Sequence, residues 1–347
     1  MFRSVTLRRQ AIPRKRILRQ WRQSHSLAPK QQFSCLDLRQ SGLSVIERLC
    51  LEECLLRHDS HNRQWIIWGT HHPTKSRFLQ IPTQSLPSYI ITPPPQAEQN
   101  NPPCIVVMGI GGKPKLLLDI PRIQEHGIWV VKRFSGGGTV VVDHNCIYTT
   151  LIGRNGPDQL VEASEAADEN SNNNIQKVPP YPREIMEWTA TNVFGPTFAK
   201  LKEMAASTAI TTTAEIPDFE LKENDYVMGG TQKVAGNAQS IVKTGFLHHT
   251  SFLWTFRQEN MKYLKLPAKR PEYRKDRSHA SFLIELQEAY HNQLQMDAFF
   301  QSLEAVCQDS FDVEHVTLDE AMLEFGTDGI QGFFESKSRT RFVDLPR

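Results

Sequence analysis

The sequence predicts an α+β fold: a mixed or antiparallel sheet with flanking helices. Three observations predict it. Short β-branched runs recur along the chain, several separated only by tight turns. Helical periodicity is confined to a few segments. Strand follows strand without the intervening helices of a doubly wound sheet. With 39% hydrophobic and 9% aromatic content, the 347 residues can build a real core. No run of about 18 apolar residues occurs, so no membrane-spanning helix is expected.

The elements follow in order. Residues 43–57 (LSVIERLCLEECLLR) space apolar side chains as an amphipathic helix does. Residues 64–69 (QWIIWG) form a short β run. Residues 92–103 are rich in Pro, Gln and Asn and read as a loop insertion. Residues 104–109 (CIVVMG) and 128–132 (IWVVK) are buried strands. Residues 139–143 and 147–152 pair as a hairpin. Residues 153–180 lose all periodicity and read as a disordered insertion; five acids and no Lys or Arg fall in 155–176. A helix is predicted at 184–201 and a weak Thr/Ala loop at 205–214. Strands follow at 219–227, 232–235, 238–242 and 245–254, then helices at 280–291 and 296–307.

The net charge of +2 hides a split. Residues 1–36 hold nine basic residues and no acid, leaving 31 basic against 38 acidic residues in the rest. An acidic body argues against nucleic-acid binding, which needs a basic face. The Arg-rich, acid-free leader has the composition of an organellar transit peptide. Mitochondrial import is the expectation, with a plastid or cytoplasmic location as alternatives. Six cysteines without a C-x-x-C pair suggest buried structural thiols in a reduced, intracellular protein, with no metal site.

Three strings carry chemistry. The first is KRFSGGGTVVVD at residues 132–143. Gly136, Gly137 and Gly138 let the main chain approach a ligand and offer it N–H groups, and Ser135 adds a hydroxyl. Arg133 supplies a forked donor suited to phosphate or carboxylate. A flexible hairpin turn is the plain alternative. Pro114 breaks both a G-x-G-x-x-G and a P-loop reading of the preceding glycines. The second string runs from Asn224 and Asp225 through two glycines to Lys233, Gly236 and Ala238. A lysine between glycine turns can reach a closely approached ligand and offset phosphate or oxyanion charge. An ordinary hairpin lysine is the alternative. The third is GFLHHTSFLW at 245–254, where His248 and His249 suit structural hydrogen bonds better than a metal. His71 and His72 read as surface residues in a loop.

Taken together and in this order, RFSGGGTVVVD, ND, KVAGNA and GFLHHT resemble the lipoate–protein ligase A family. The upstream helix, the WIIWG strand and PPCIVVMGIGGKP agree with that pattern, so the resemblance covers residues 43–310. Lys132, Val142 and Ala235 depart from it. The resemblance implies a biotin/lipoate ligase-like catalytic domain at 37–315, preceded by the transit peptide at 1–36. Residues 316–347 are then a C-terminal tail, without a full accessory domain. It implies activation of lipoate by ATP with Mg²⁺ to lipoyl-AMP, then lipoyl transfer to an acceptor lysine. Lipoyl domains of 2-oxoacid dehydrogenase complexes, or the glycine cleavage H protein, are the implied partners, with a separate accessory subunit possible. No membrane or nucleic-acid partner is implied. Lys233 resembles the catalytic lysine at the acyl-adenylate. Arg133, Ser135 and Gly136, Gly137 and Gly138 resemble the loop at the lipoyl-phosphate end. Asn224 and Asp225 resemble the adenylate side, and Gly236, Ala238 and His249 the ligand wall. Two alternatives stay open: a transferase using a preformed acyl donor, and a non-catalytic binder of lipoyl domains.

Overall fold

The computed structural model describes residues 30–72, 76–81, 86–90, 104–155, 178, 180–208, 215–266 and 270–346. The chain opens with β1 (Gln32–Asp37), α1 (Val45–His58) and β2 (Trp65–Thr70). After β3 (Ile105–Met108) and two short helical segments come β4 (Trp129–Lys132), β5 (Val140–Val142) and β6 (Cys146–Arg154). The middle is helical: α2 (Pro182–Thr189), a π-helical turn (Ala190–Phe194) and α3 (Gly195–Thr208). Five strands follow: β7 (Phe219–Lys222), β8 (Asp225–Met228), β9 (Gln232–Lys233), β10 (Ala235–Val242) and β11 (Gly245–Leu253). The chain closes with α4 (Met296–Ser310), β12 (Asp312–His315), α5 (Leu318–Met322), α6 (Gly329–Ser336) and β13 (Arg341–Phe342). No helix among the described residues is long and apolar enough to cross a membrane.

The main sheet has the order β10-β11-β6-β2-β1-β12, antiparallel as far as β2 and parallel beyond it. A second sheet, β13-β4-β3-β5, lies near it, and β7-β8-β9 form a small meander. Alternation splits the main sheet into two apolar faces. Phe33, Ile66, Leu151 and Phe252 pack against α2, α3 and α4. Leu36, Ile67, Tyr148 and Leu247 share the opposite core with α1 and with the inner face of the second sheet.

The fold is the predicted α+β class, but several elements differ. The expected 139–143/147–152 hairpin does not form. β5 pairs with β3, whereas β6 pairs with β2 and β11. The Asp143–Cys146 turn moves the chain from one sheet to the other, with Asp143 accepting from the Asn145 amide. The single strand expected at 219–227 is two, folded back at Glu223, whose φ of 50° lies in the left-handed region. The helix expected at 280–291 is two one-turn pieces, His279–Phe282 and Leu286–Ala289, because residue 284 bonds back to the Lys233 carbonyl.

Pro196 accounts for the π-helical turn. It lacks the N–H that an α-helix would use there. The Gly195 amide instead bonds to the Ala190 carbonyl, and a Cβ at Gly195 would sit 2.7 Å from that oxygen. The helix then runs on to Thr208, so residues 205–208 of the expected 205–214 loop are helical.

The domain boundaries also shift. The expected leader end at residue 36 falls inside β1, which pairs on both edges. Residues 316–346 are folded onto the body. α6 packs on α1, and β13 extends the second sheet beside β4. Of the expected 153–180 insertion, residues 153 and 154 belong to β6, and most of the rest lies outside the described residues. The same holds for most of the leader and for the 92–103 loop.

Candidate active site

The site is built where the two sheets meet α1. β10 and β11 pair over eight residues, with Ala238 opposite His249, and β6 places Thr150 on the other side of His249. The two histidines of the HHT string therefore point to opposite faces. His248 turns to the α2 side and meets the Tyr226 hydroxyl at 3.1 Å. His249 turns toward α1, where its Nδ1 lies 3.3 Å from Glu52.

The glycine loop packs its backbone against β10. The Gly136 amide donates to the Gln239 carbonyl at 2.8 Å. Gly137 has φ 104°, and a Cβ there would lie 2.6 Å from the Asn237 carbonyl oxygen. Gly109 is needed for the same close approach, since its Cβ would meet the Gly137 oxygen at 2.3 Å. Gly138, by contrast, faces open space.

Arg133 behaves differently from the sequence expectation. Its guanidinium is buried and turned into its own loop. Nη2 donates to the carbonyls of Gly136 (2.9 Å) and Gly138 (2.7 Å), Nη1 to Val107 (3.2 Å) and Nε to Ser135 Oγ (3.1 Å). It braces the glycine loop, and burial, with Arg48 nearby, pulls its pKa down. The reason lies in Gly137: its positive φ folds the loop so that two carbonyls face the Arg133 side chain.

A small cavity of about 30 Å³ lies beneath this loop. Four residues named from the sequence, Arg133, Gly236, Ala238 and His249, line it. Arg48, His71, Tyr148, Asn237 and Ser251 line it too, and the sequence assigns none of them to a site. His71 is buried, 2% exposed, with Nε2 at 3.2 Å from Ser251 Oγ, so the surface reading of it is wrong. Arg48 Nη1 donates to both Glu52 oxygens at 2.8 Å, and its guanidinium stacks 4.2 Å from the Tyr148 ring centre. Glu52 also accepts from Thr150 Oγ1 at 2.6 Å. Burial raises the Glu52 pKa against the pull of Arg48. Burial, then Arg48, holds His71 and His249 well below the ordinary histidine range. The i,i+4 spacing of opposite charges at Arg48 and Glu52 is the signal the sequence offers for this pair.

Lys233 stands apart from the cavity wall. It lies at the end of β9, and its Nζ is 2.5 Å from Asp225 Oδ1. Asp225 is buried, and its other oxygen accepts from the Tyr273 hydroxyl at 2.9 Å. Burial and Asp225 together push the Tyr273 pKa up, so the hydroxyl remains a donor. Asn224 is exposed at the hairpin tip. With both Asp225 oxygens engaged, these residues do not fit a protein-held Mg²⁺. Ser135 is fully buried and serves the loop. All six cysteines are buried, and burial raises the thiol pKa of Cys50, Cys54, Cys104 and Cys146. A cysteine nucleophile is therefore disfavoured.

The sequence matches the family described as lipoyl protein ligase A/B catalytic domain, over residues 99–169 and 190–308. A curated relative, the inactive lipoate–protein ligase 2 of Plasmodium falciparum (isolate 3D7), is 30% identical over 221 residues, covering 58% of this chain and 52% of the relative. The chain thus spans about half the length of that relative. Among solved structures, the bipartite lipoate protein ligase in the lipoylation system of Thermoplasma acidophilum aligns with TM-score 0.52 at 14% identity, covering 89% and 93% of the two chains. Lipoate-protein ligase A bound with ATP aligns with TM-score 0.50 at 14% identity, covering 89% and 95%. At that identity the likeness is one of fold.

Proposed function

The chain belongs to the lipoyl protein ligase A/B catalytic-domain family, and from that premise we propose that it activates lipoate with ATP to lipoyl-AMP and transfers the lipoyl group to a lysine of an acceptor lipoyl domain. The observation that carries this reading is Lys233. It is a part-exposed ammonium held by the buried Asp225, two residues before the strand that lines the cavity.

The chemistry fits these residues. Joining a carboxylate to a phosphate brings two anions together, and a fixed cation lowers that cost. Lys233 supplies the cation, and Asp225 with Tyr273 fixes its position. In the transfer step the neutral acceptor amine attacks the acyl carbon. A C–N bond forms, the C–O bond to the phosphate breaks, AMP leaves and the amine proton passes to solvent. The protein needs to supply no nucleophile. ATP and lipoate enter as substrates; solved neighbours of the same fold include a ligase bound with ATP.

A second reading is transfer from preformed lipoyl-AMP without adenylation. One observation favours it: every described side-chain bond of Arg133 goes to the glycine loop or to the neighbouring β3. The test is to mix the chain with ATP, Mg²⁺, lipoate and an apo lipoyl domain, then weigh the acceptor. A mass gain of one lipoyl group supports the full ligase. A gain only when lipoyl-AMP replaces lipoate and ATP supports the second reading. The same assay with a 2-oxoacid dehydrogenase lipoyl domain and a glycine cleavage H protein decides between the two partners. The basic leader supports mitochondrial import, checked by where a fluorescent fusion of residues 1–36 collects.

A further inference from the structure

Of the six large apolar side chains exposed among the described residues, three gather in one region: Ile110 (39% exposed), Leu116 (65%) and Leu266 (47%). Backbone bonds bring their segments together. The Asp119 amide donates to the Tyr263 carbonyl at 3.0 Å, and the Lys265 amide to the Leu117 carbonyl at 2.8 Å. Leu116 and Leu266 are the chain neighbours of that last pair, so they share one stretch of surface. Ile110 stands in the turn that leads into it. Exposed apolar groups rimmed by charge mark an interaction surface.

The rim is basic. Residues 110–119 and 258–266 hold four lysines, Lys113, Lys115, Lys262 and Lys265, against two acids, and one of these, Asp119, is held by Arg122. All four lysines are exposed. Lys200, Lys202, Lys233 and Lys337 each lie within 3.2 Å of a carboxylate; among the described residues the four rim lysines have no such pair. Unpaired ammonium groups around an apolar centre fit a protein surface that presents carboxylates beside an apolar spot.

Place says which protein. At one end the Ile110 amide donates to the Ser135 carbonyl at 3.0 Å, so the patch borders the glycine loop. At the other, the Gln258–Tyr263 turn packs on the one-turn helix His279–Phe282, and the next residue, Leu283, bridges to Lys233. A macromolecule seated here stands beside both parts of the site, where an acceptor lysine has to arrive.

We propose that this patch docks the acceptor protein, pairing Lys113, Lys115 and Lys265 with carboxylates that flank the target lysine and covering Leu116 and Leu266. The partner's identity rests on the acyl-transfer reading, but the test reads binding, which needs no turnover. The full-length chain is titrated by calorimetry with an apo lipoyl domain and with an apo glycine cleavage H protein, at ionic strengths of about 0.01 M and about 0.15 M. Anionic phospholipid vesicles are the comparison probe. Lys113→Glu/Lys115→Glu reverses two exposed charges, and Lys113→Arg/Lys115→Arg keeps them. The expected result is saturable binding of at least one acceptor, weaker at the higher ionic strength. It falls at least about tenfold in the Glu variant and is kept in the Arg variant. With lipoyl-AMP as donor, the Glu variant raises the acceptor KM by a similar factor and leaves kcat unchanged. Binding of neither acceptor overturns the proposal, as does equal affinity in the Glu variant or tighter binding to vesicles than to either acceptor. Lipoyl transfer with unchanged affinity in the Glu variant removes the docking surface alone. Charge-sensitive binding without any gain in acceptor mass removes the transfer reading alone.

Discussion

Gly137 and Gly138 are chain neighbours with opposite tolerances. At Gly137 a methyl group would meet backbone at 2.6 Å in a left-handed conformation; at Gly138 it meets nothing within 4 Å. Gly137→Ala is expected to cost about 2 kcal/mol or more, and Gly138→Ala almost nothing, as read by chemical denaturation. Lys233→Ala is expected to abolish acyl transfer while costing only about 1 kcal/mol, because its part-exposed pair is screened by water and Tyr273 still holds Asp225. Full activity in that variant would remove Lys233 from the mechanism. The sequence disclosed these positions because their chemistry is written in contiguous strings. It hid Arg48 and His71, whose places beside His249 depend on strands and a helix far apart in the chain. It also hid the direction of Arg133, which is decided by where two loop carbonyls turn.

Helix α1 is the element on which the site hangs. Its start is fixed by a capping box, Ser44 with Glu47. Its acidic residues are buried rather than solvated. Glu47 accepts from the amides of Arg77, Phe78 and Leu79, and Glu53 from Ser338 Oγ and the Arg339 amide. Between them Glu52 binds Arg48 and Thr150. The helix therefore anchors three distant segments through three carboxylates. Glu53→Ala should release the C-terminal strand, so hydrogen exchange at residues 341–343 speeds up far more than in Glu47→Ala. Equal exchange in the two variants would contradict that division of labour. The sequence placed this helix nearly to the residue but drew it with a solvent face, since Glu and Arg on a periodic helix ordinarily mark water. The failed 139–152 hairpin has a similar cause. Both strands were legible, but their partners are chosen by tertiary pairing and not by the three residues between them.

At the scale of the whole molecule, β1 sits between β2 and the edge strand β12 and joins them in the main sheet. A chain starting at residue 30 should fold, and one starting at residue 38 should not, as judged by the cooperativity of thermal melting. The buried histidines give the fold an acid limit. Burial holds the His248 pKa at about 3, below its unfolded 6.5, and His71 and His249 shift the same way. Between those values the unfolded chain binds the extra protons, so stability falls as pH drops from about 6.5. Glu52, with its raised pKa, works in the opposite sense but is one group against three. The melting midpoint should fall steadily below pH 6.5, and less steeply in His248→Gln. Beyond stability, the proposed function requires lipoyl transfer onto a protein lysine with Lys233 at the reacting centre. The direct measurement is the intact mass of an apo lipoyl domain after incubation with lipoyl-AMP and the full chain. The expected result is a gain of one lipoyl group that disappears in Lys233→Ala. An acceptor whose mass does not change with the unaltered chain would contradict it.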